Sequence, residues 1–298
     1  MKASELTIAF VGCGNMGSAV LQGLLDTVFP ERSKDPISKM LAKFIACTNT
    51  EKSARTLENN LGRHVSQVRV LYRQNQAAFD EADVIVLGVK PYVAKDVLQE
   101  PGVYESISGK LVISMIAGIS VTDVTNIIKE TAGSSDKPMP YIAKAIPNLA
   151  AQYRQSMTIL ELSDPALPPK QLALLEWIFN QVGRVKLMSP SLVDVGSVLV
   201  TTCLATLSVP LDGLLDGSVV EGLRRQEALE LAVQGVIGLG TMLQNGHHPA
   251  ILRENISSPR GCTIQTLLVV ERKGARAVFA DALLSGASHL KRPSKSSD

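Results

Sequence analysis

From its first residues the chain alternates between short apolar runs and longer stretches with helical spacing. Leu6–Val11 is a bare apolar run, followed by a glycine cluster and a helical stretch at Ala19–Leu25. Phe44–Cys47, Val68–Leu71, Asp83–Gly88 and Leu111–Met115 repeat the theme, with helical patterns at Glu51–Leu61, Asn75–Ala82 and Val121–Lys129 between them. Tyr141–Ile146, Met157–Leu162 and Arg184–Leu187 add three more strands. Strands with no polar alternation have no face for solvent. When helices separate them, they predict a parallel, doubly wound sheet covered on both sides.

The pattern changes from Ser191 onward. Leu192–Leu223, Glu227–Gln244 and Thr263–Leu284 are long Ala-, Leu- and Val-rich segments at helical spacing. Ser191–Leu215 is apolar almost all round, so a helix there has to be buried in its domain or against another subunit. The predicted organisation is an α/β sheet domain at 1–188, an all-α domain at 189–288 and a polar, basic tail at 289–298 that composition reads as disordered. No internal repeat of fixed period is present.

Composition narrows the functional class. The 298 residues carry 30 Lys+Arg against 28 Asp+Glu, and only 4% are aromatic. Neither a basic surplus nor a set of stacking rings points to nucleic acid. The four cysteines are widely spaced, which argues against a disulfide framework or a zinc site, so no metal is expected. The N-terminal stretch lacks the features of a secretory leader. Gly, Asp or Thr interrupt the apolar runs before a membrane-spanning length of about 20 residues. The expectation is a cytoplasmic protein with no membrane partner.

The candidate chemistry starts at Gly12-Cys13-Gly14-Asn15-Met16-Gly17, which fits G-x-G-x-x-G directly after a strand and at the opening of a helix. That context makes it a dinucleotide loop of the Rossmann type. Gly12 permits the tight turn, Gly14 lets backbone N–H groups approach a pyrophosphate, and Gly17 lets the helix pack on the strand. The second strand ends Cys47-Thr48-Asn49-Thr50, without the acid that would accept the 2′-OH of NAD. Thr48, Asn49 and Thr50 can donate to a 2′-phosphate, and Lys52 and Arg55 can add charge. This favours NADPH over NADH, with Glu51 as the one dissenting residue.

Several segments, in order along nearly the whole chain, resemble the pyrroline-5-carboxylate reductase family. They are the glycine loop and its helix, Val89-Lys90-Pro91, Ala117-Gly118, Lys144-Ala145-Ile146-Pro147-Asn148 and the stretch from Glu254 to Ile264. The last resembles V-x-S-P-G-G-x-T-I and is the most specific, because it lies outside the dinucleotide fold. The resemblance implies an NAD(P)H-binding domain, a helical domain that interleaves with a second subunit into a homodimer, and a cleft where a cyclic C=N bond is reduced. Gly12 to Gly17 would hold the pyrophosphate, Thr48 and Asn49 would face the 2′-phosphate, and Asn75 would sit near the adenosine. Val89, Lys90, Pro91, Ala117 and Gly118 would line the nicotinamide side. Thr263 would reach the substrate's ring nitrogen, and the backbone N–H groups of Ser258, Arg260, Gly261 and Cys262 would cradle its carboxylate.

Two departures fall on the substrate side. Where the family has S-G-S-G-P-A-Y, this chain reads Val200-Thr201-Thr202-Cys203-Leu204-Ala205-Thr206, and where it has S-P-G-G, this chain reads Ser258-Pro259-Arg260-Gly261. The expected function is therefore an NADPH-dependent cyclic imine reductase, with pyrroline-5-carboxylate or an altered imine as substrate. The alternative is a dinucleotide-binding regulatory or scaffolding protein that reduces nothing.

Other candidates read as ordinary structure. His247-His248 follow a turn signal and lack ligands at metal spacing, and His64 and His289 read as exposed. Cys13, near a helix N-terminus, has either a lowered pKa or an inert small side chain. Cys262 is a candidate thiol, Asp194 and Asp212 cap helices or meet substrate, and Trp177 reads as core. A protonated imine is a strong electrophile and a pyrroline nitrogen titrates near neutrality, so the site needs no strong acid. A ketone reductase, which must protonate an alkoxide, fits less well.

Overall fold

The computed structural model describes residues 6–28 and 41–290. Strand β1 (Leu6–Val11) leads into helix α1 (Asn15–Val28), and β2 (Leu41–Thr48) into α2 (Glu51–Leu61). β3 (Val68–Tyr72), α3 (Asn75–Glu81) and β4 (Val84–Leu87) follow, then two short helices, α4 (Ala94–Leu98) and α5 (Val103–Ile107). β5 (Leu111–Ser114), α6 (Val121–Ala132), β6 (Tyr141–Ile146), β7 (Ser156–Glu161), α7 (Pro169–Gln181) and β8 (Gly183–Met188) complete the sheet region. The helical region holds α8 (Pro190–Val220), α9 (Arg225–Gln244), α10 (Pro249–Asn255), α11 (Cys262–Arg272) and α12 (Ala275–Leu290).

The sheet runs β3-β2-β1-β4-β5-β6-β7-β8, and strand order reverses between β1 and β4. In open sheets of this kind, ligands bind beyond the strand C-termini at that reversal. Alternate residues of β1 enter opposite cores: Ile8 and Phe10 pack with α1 and α7, and Ala9 and Val11 with α3 to α6. Both faces are therefore filled, which is why β1, β4 and β5 carry no polar alternation. Helix α1 lies so close to the turn at Leu149–Tyr153 that a Cβ on Gly23 would stand 2.2 Å from the Ala151 carbonyl oxygen.

The structure corrects the sequence reading at several points. β7 pairs antiparallel with β6, so the sheet is mixed. The Pro147–Gln155 connection is too short for the crossover that a parallel neighbour needs. Thr263–Leu284 is two helices, because the chain breaks at Lys273-Gly274, with Gly274 at φ +68°. Helix α10 was not anticipated, although Pro249 at its first position and the His248 cap are its signals. His64 is buried, with Nε2 2.9 Å from Asp26 Oδ1 and Nδ1 2.7 Å from Gln67 Oε1. His289 and Leu290, expected in a disordered tail, close α12; the rest of that tail and the first five residues lie outside the described residues.

Helix α8 also differs from expectation. Among the described residues it is the one helix long and apolar enough to cross a membrane by length and composition. Its polar residues do not interrupt it, because hydroxyls such as Thr206 and Ser218 donate back to carbonyls one turn earlier, at 2.7 and 2.8 Å. Two compact units divide inside α8, between Val200 and Thr201. The predicted boundary at 188 marks the last strand, yet the first turns of α8 still pack on the sheet. Val193 is 1% exposed, and a Cβ on Gly196 would stand 2.5 Å from the Met188 sulfur.

Candidate active site

At the β1/β4 reversal lies a cleft of about 570 Å³. It is built first by the turn between β1 and α1. The Cys13 N–H donates to the Cys47 carbonyl at 2.7 Å and the Gly14 N–H to the Gly12 carbonyl at 2.8 Å. Gly12 sits at φ +82°, where a Cβ would stand 2.5 Å from Val89 Cγ1 and 2.7 Å from the Val89 nitrogen. No other residue fits there. Gly14 has no atom within 4 Å of the place a Cβ would take, so the outer surface of the loop is open. The first N–H groups of α1 have no partner within the helix and face this end with the positive pole of the dipole. An open glycine loop against a helix N-terminus is a cradle for a diphosphate. Gly17 differs from its expected role: a Cβ there meets its nearest atom at 3.4 Å, so the packing does not demand glycine.

Gly12, Cys13, Gly14, Thr48, Asn49, Asn75, Val89 and Lys90 all line the cleft. Asn15, Met16, Gly17, Pro91, Ala117 and Gly118 do not. Pro91 opens a short 3-10 turn whose Tyr92 and Val93 line the cleft instead. Gly118 borders a second cavity of about 430 Å³ with Ser120, Lys144 and Glu161. Burial pushes the Cys13 and Cys47 thiols up to about 12, which excludes the low-pKa reading of Cys13. Asn75 opens α3, and its amide lies 3.5 Å from the Glu100 carboxylate.

The edge beyond β2 departs further from expectation. The Thr48 hydroxyl is buried and donates to the Thr50 carbonyl at 3.2 Å, and Thr50 caps α2 by accepting from the Ser53 N–H at 3.1 Å. Lys52 and Arg55 line a separate surface hollow with Glu51, and Arg55 holds the Glu51 carboxylate at 2.7 Å. Glu51 is thus accounted for outside the cleft. The cation that does line the cleft here is Arg73, which the sequence reading did not find.

In the second unit, Ser258, Arg260 and Gly261 form the turn before α11. The Gly261 N–H donates to the Ser258 carbonyl at 3.0 Å, and Gly261 is the N-cap of the helix. The N–H groups of Cys262 and Thr263 therefore begin a helix, where they lack helical acceptors. Cys262 is exposed, and the Thr263 hydroxyl makes no hydrogen bond among the described residues.

Two family models match. The one described as "Pyrroline-5-carboxylate reductase dimerisation" covers residues 190–292, and the one described as "NADP oxidoreductase coenzyme F420-dependent" covers residues 7–118. The pyrroline-5-carboxylate reductase of Neurospora crassa is 36% identical over 94% of this chain and 91% of its own length. That of Lophium arboricola is 34% identical over 95% of this chain and 91% of its own. The chain belongs to the pyrroline-5-carboxylate reductase family. The crystal structure of the Plasmodium falciparum enzyme with NADP bound superposes with a TM-score of 0.78 at 21% identity, covering 96% of this chain and 97% of that one. The Streptococcus pyogenes enzyme gives 0.77 at 22% identity, over 96% and 98%. At that identity the likeness establishes the shared fold.

In this pyrroline-5-carboxylate reductase, Arg260 takes a backbone conformation suited to the glycine that the S-P-G-G pattern has there. Arg260 sits at φ +61°, the left-handed region that favours glycine. The segment Lys144–Asn148 has a structural part that its sequence did not reveal. Lys144 is 4% exposed and pairs with Asp194 at 3.7 Å, and the Asn148 amide donates to the Val200 carbonyl at 3.2 Å. Together they tie β6 to the start of α8. Burial raises the Glu161 carboxyl nearby, and Lys144 opposes that shift. Asp212 pairs with Arg225 at 3.2 Å, and Trp177 packs at the edge of the α1–α7 core.

Proposed function

We propose that this chain is an NADPH-dependent reductase of pyrroline-5-carboxylate or a close cyclic imine, working as a homodimer in the cytoplasm. The observation that carries the reading is the open cradle at Gly12–Gly14 within a chain whose relatives bear this enzyme's name over nearly its full length. The missing acid after β2 supports NADPH over NADH. The Thr263 loop, which nucleotide binding alone does not require, counts against a purely regulatory role. Self-association is supported by the dimerisation model over residues 190–292 and by the uncovered apolar side chains of that segment. Four free thiols support a reducing compartment, which cell fractionation tests.

When bound, NADPH supplies a hydride to the carbon of the C=N bond. The protein's contribution is placement and charge. The loop at Gly12–Gly14 and the N-terminus of α1 that follows it would hold the pyrophosphate. Asn75 would meet the adenosine, and Val89 and Lys90 would border the nicotinamide side. The N–H groups at the start of α11 take the substrate carboxylate, and the Thr263 hydroxyl accepts from the protonated ring N–H. Because the iminium forms near neutral pH, no acid of unusual pKa is needed, and the neutral Cys13 thiol takes no part.

Steady-state oxidation of NADPH against five- and six-membered cyclic imines tests this reading. Pyrroline-5-carboxylate is expected to turn over, and Thr263→Ala to lower kcat/KM by about ten- to a hundredfold with NADPH affinity unchanged. Absence of turnover on every cyclic imine overturns it.

A further inference from the structure

Arg73 follows β3 directly and stands where β2 and β3 end side by side. Its N–H donates to the Thr48 carbonyl at 3.1 Å and its Nε to the Asn49 carbonyl at 3.3 Å, so the loop after β2 fixes both backbone and side chain. Its guanidinium lies 5.5 Å from the centre of the Tyr72 ring. The terminal Nη atoms have no hydrogen bond and no carboxylate partner among the described residues. Arg73 also sits at φ +52°, a left-handed conformation that a non-glycine residue adopts only at a cost. Strain of that kind persists where the surroundings impose it, and here the residue it holds in place lines the cleft with its Nη donors unpaired.

The cleft has one other cation, Lys90, which follows β4 and thus belongs to a different strand end. Its one carboxylate, Glu100, lies against the Asn75 amide. Thr48 and Thr50 have their hydroxyls committed, and Lys52 and Arg55 lie outside. In a dinucleotide fold the end of β2 faces the adenosine ribose. We propose that Arg73 is the residue that selects for the 2′-phosphate, its two Nη atoms donating to the phosphate oxygens while Asn49 and Ser53 complete the rim. The proposal rests on the cofactor reading above and names the side chain that makes it a preference for NADPH.

Calorimetric titration of the full-length protein with NADPH, NADH, adenosine 2′,5′-bisphosphate and 5′-AMP tests it without turnover. Wild type is expected to bind the bisphosphate at least about tenfold tighter than AMP, as a charge-assisted fork requires. Arg73→Gly should bring that ratio close to one by weakening the bisphosphate alone, and should flatten the salt dependence of NADPH binding. Glycine adopts φ +52° without strain, so this variant folds, and its melting temperature should equal or exceed that of wild type. Arg73→Lys should retain part of the preference, since it keeps the charge and loses the fork. An unchanged ratio in Arg73→Gly, or an equal loss for both ligands, overturns the proposal. A wild type that binds both cofactors equally overturns it and leaves dinucleotide binding standing. A wild type that binds neither overturns the cofactor reading together with it.

Discussion

Strands β1 and β4 of the first unit bury Ile8, Phe10, Ile85 and Leu87 to 1% exposure or less, whereas helices α8, α9 and α12 leave Leu214, Leu231 and Leu284 at 67%, 66% and 66%. In the second unit only Leu215, Ala228 and Leu252 are buried apolar residues among those described. The contrast follows from layer geometry. A sheet with helices on both faces covers its own strands. A small set of helices that are apolar on nearly every side has no such cover, and in the proposed homodimer its burial comes from a second copy. The first unit thus buries its own strands in one chain, while the proposed homodimer links the stability of the second to protein concentration.

The largest expected effect comes from charging the uncovered helices. Ile237 on α9 is 54% exposed in one chain. Sedimentation should show wild type at twice the 31.9 kDa chain mass and Ile237→Glu at the monomer mass. Activity should fall by at least about a hundredfold, since an unpaired buried charge costs several kcal/mol. NADPH binding should survive, because the cradle belongs to the first unit. A fully active monomeric wild type would break the comparison.

Substitutions inside the cradle sharpen it. Gly14→Val fills open space without touching the fold, so NADPH affinity should drop by about a hundredfold or more while the melting temperature holds. Gly17→Ala meets its neighbours at ordinary contact distance and should change NADPH affinity by less than about threefold and leave the melting temperature in place. Calorimetry and thermal melts on the pair decide the matter; equal losses of affinity would show that the loop binds differently.

The smallest effect is local to α6. Ser120 caps that helix, with its hydroxyl accepting from the Asp123 N–H at 3.0 Å while the Ser120 N–H and hydroxyl donate to the Asp123 carboxylate. Those hydrogen bonds hold the Asp123 carboxyl below its ordinary value. On acidification the unfolded chain takes up this proton first. The stabilisation is therefore complete above the usual carboxylate range and is lost as pH falls through the folded value. Ser120→Ala should cost about 1 kcal/mol near neutrality. In urea unfolding at about pH 3 the deficit should shrink. At either pH it should be independent of protein concentration, unlike the effect at Ile237.

How far the site was legible depended on whether neighbours in sequence are neighbours in space. The β1–α1 loop was readable because strand, glycines and helix are contiguous. The end of β2 was readable only in its lack of an acid. Lys52 and Arg55 looked available because they follow it, but α2 turns them to another surface. Arg73 gave no motif, since its place depends on β3 lying beside β2 and on a left-handed backbone. The Thr263 loop was found through resemblance, and nothing in its spacing alone would have assigned it chemistry. The Lys144–Asp194 and Asn148–Val200 contacts join residues some fifty positions apart, with no periodicity to announce them.

The sequence by itself determined the two-part architecture, the buried strands, the diphosphate loop and the helix too apolar for a lone chain. Each of these is a local pattern, set by side-chain period, backbone freedom at glycine or the run of apolar residues. Only the tertiary structure decided that β7 runs antiparallel, that His64 is enclosed by Asp26 and Gln67, that Lys144 is buried and paired, and that Arg73 rather than Lys52 or Arg55 stands at the cleft. These depend on which elements the sheet order brings together, and packing between distant segments leaves no periodic trace in the chain.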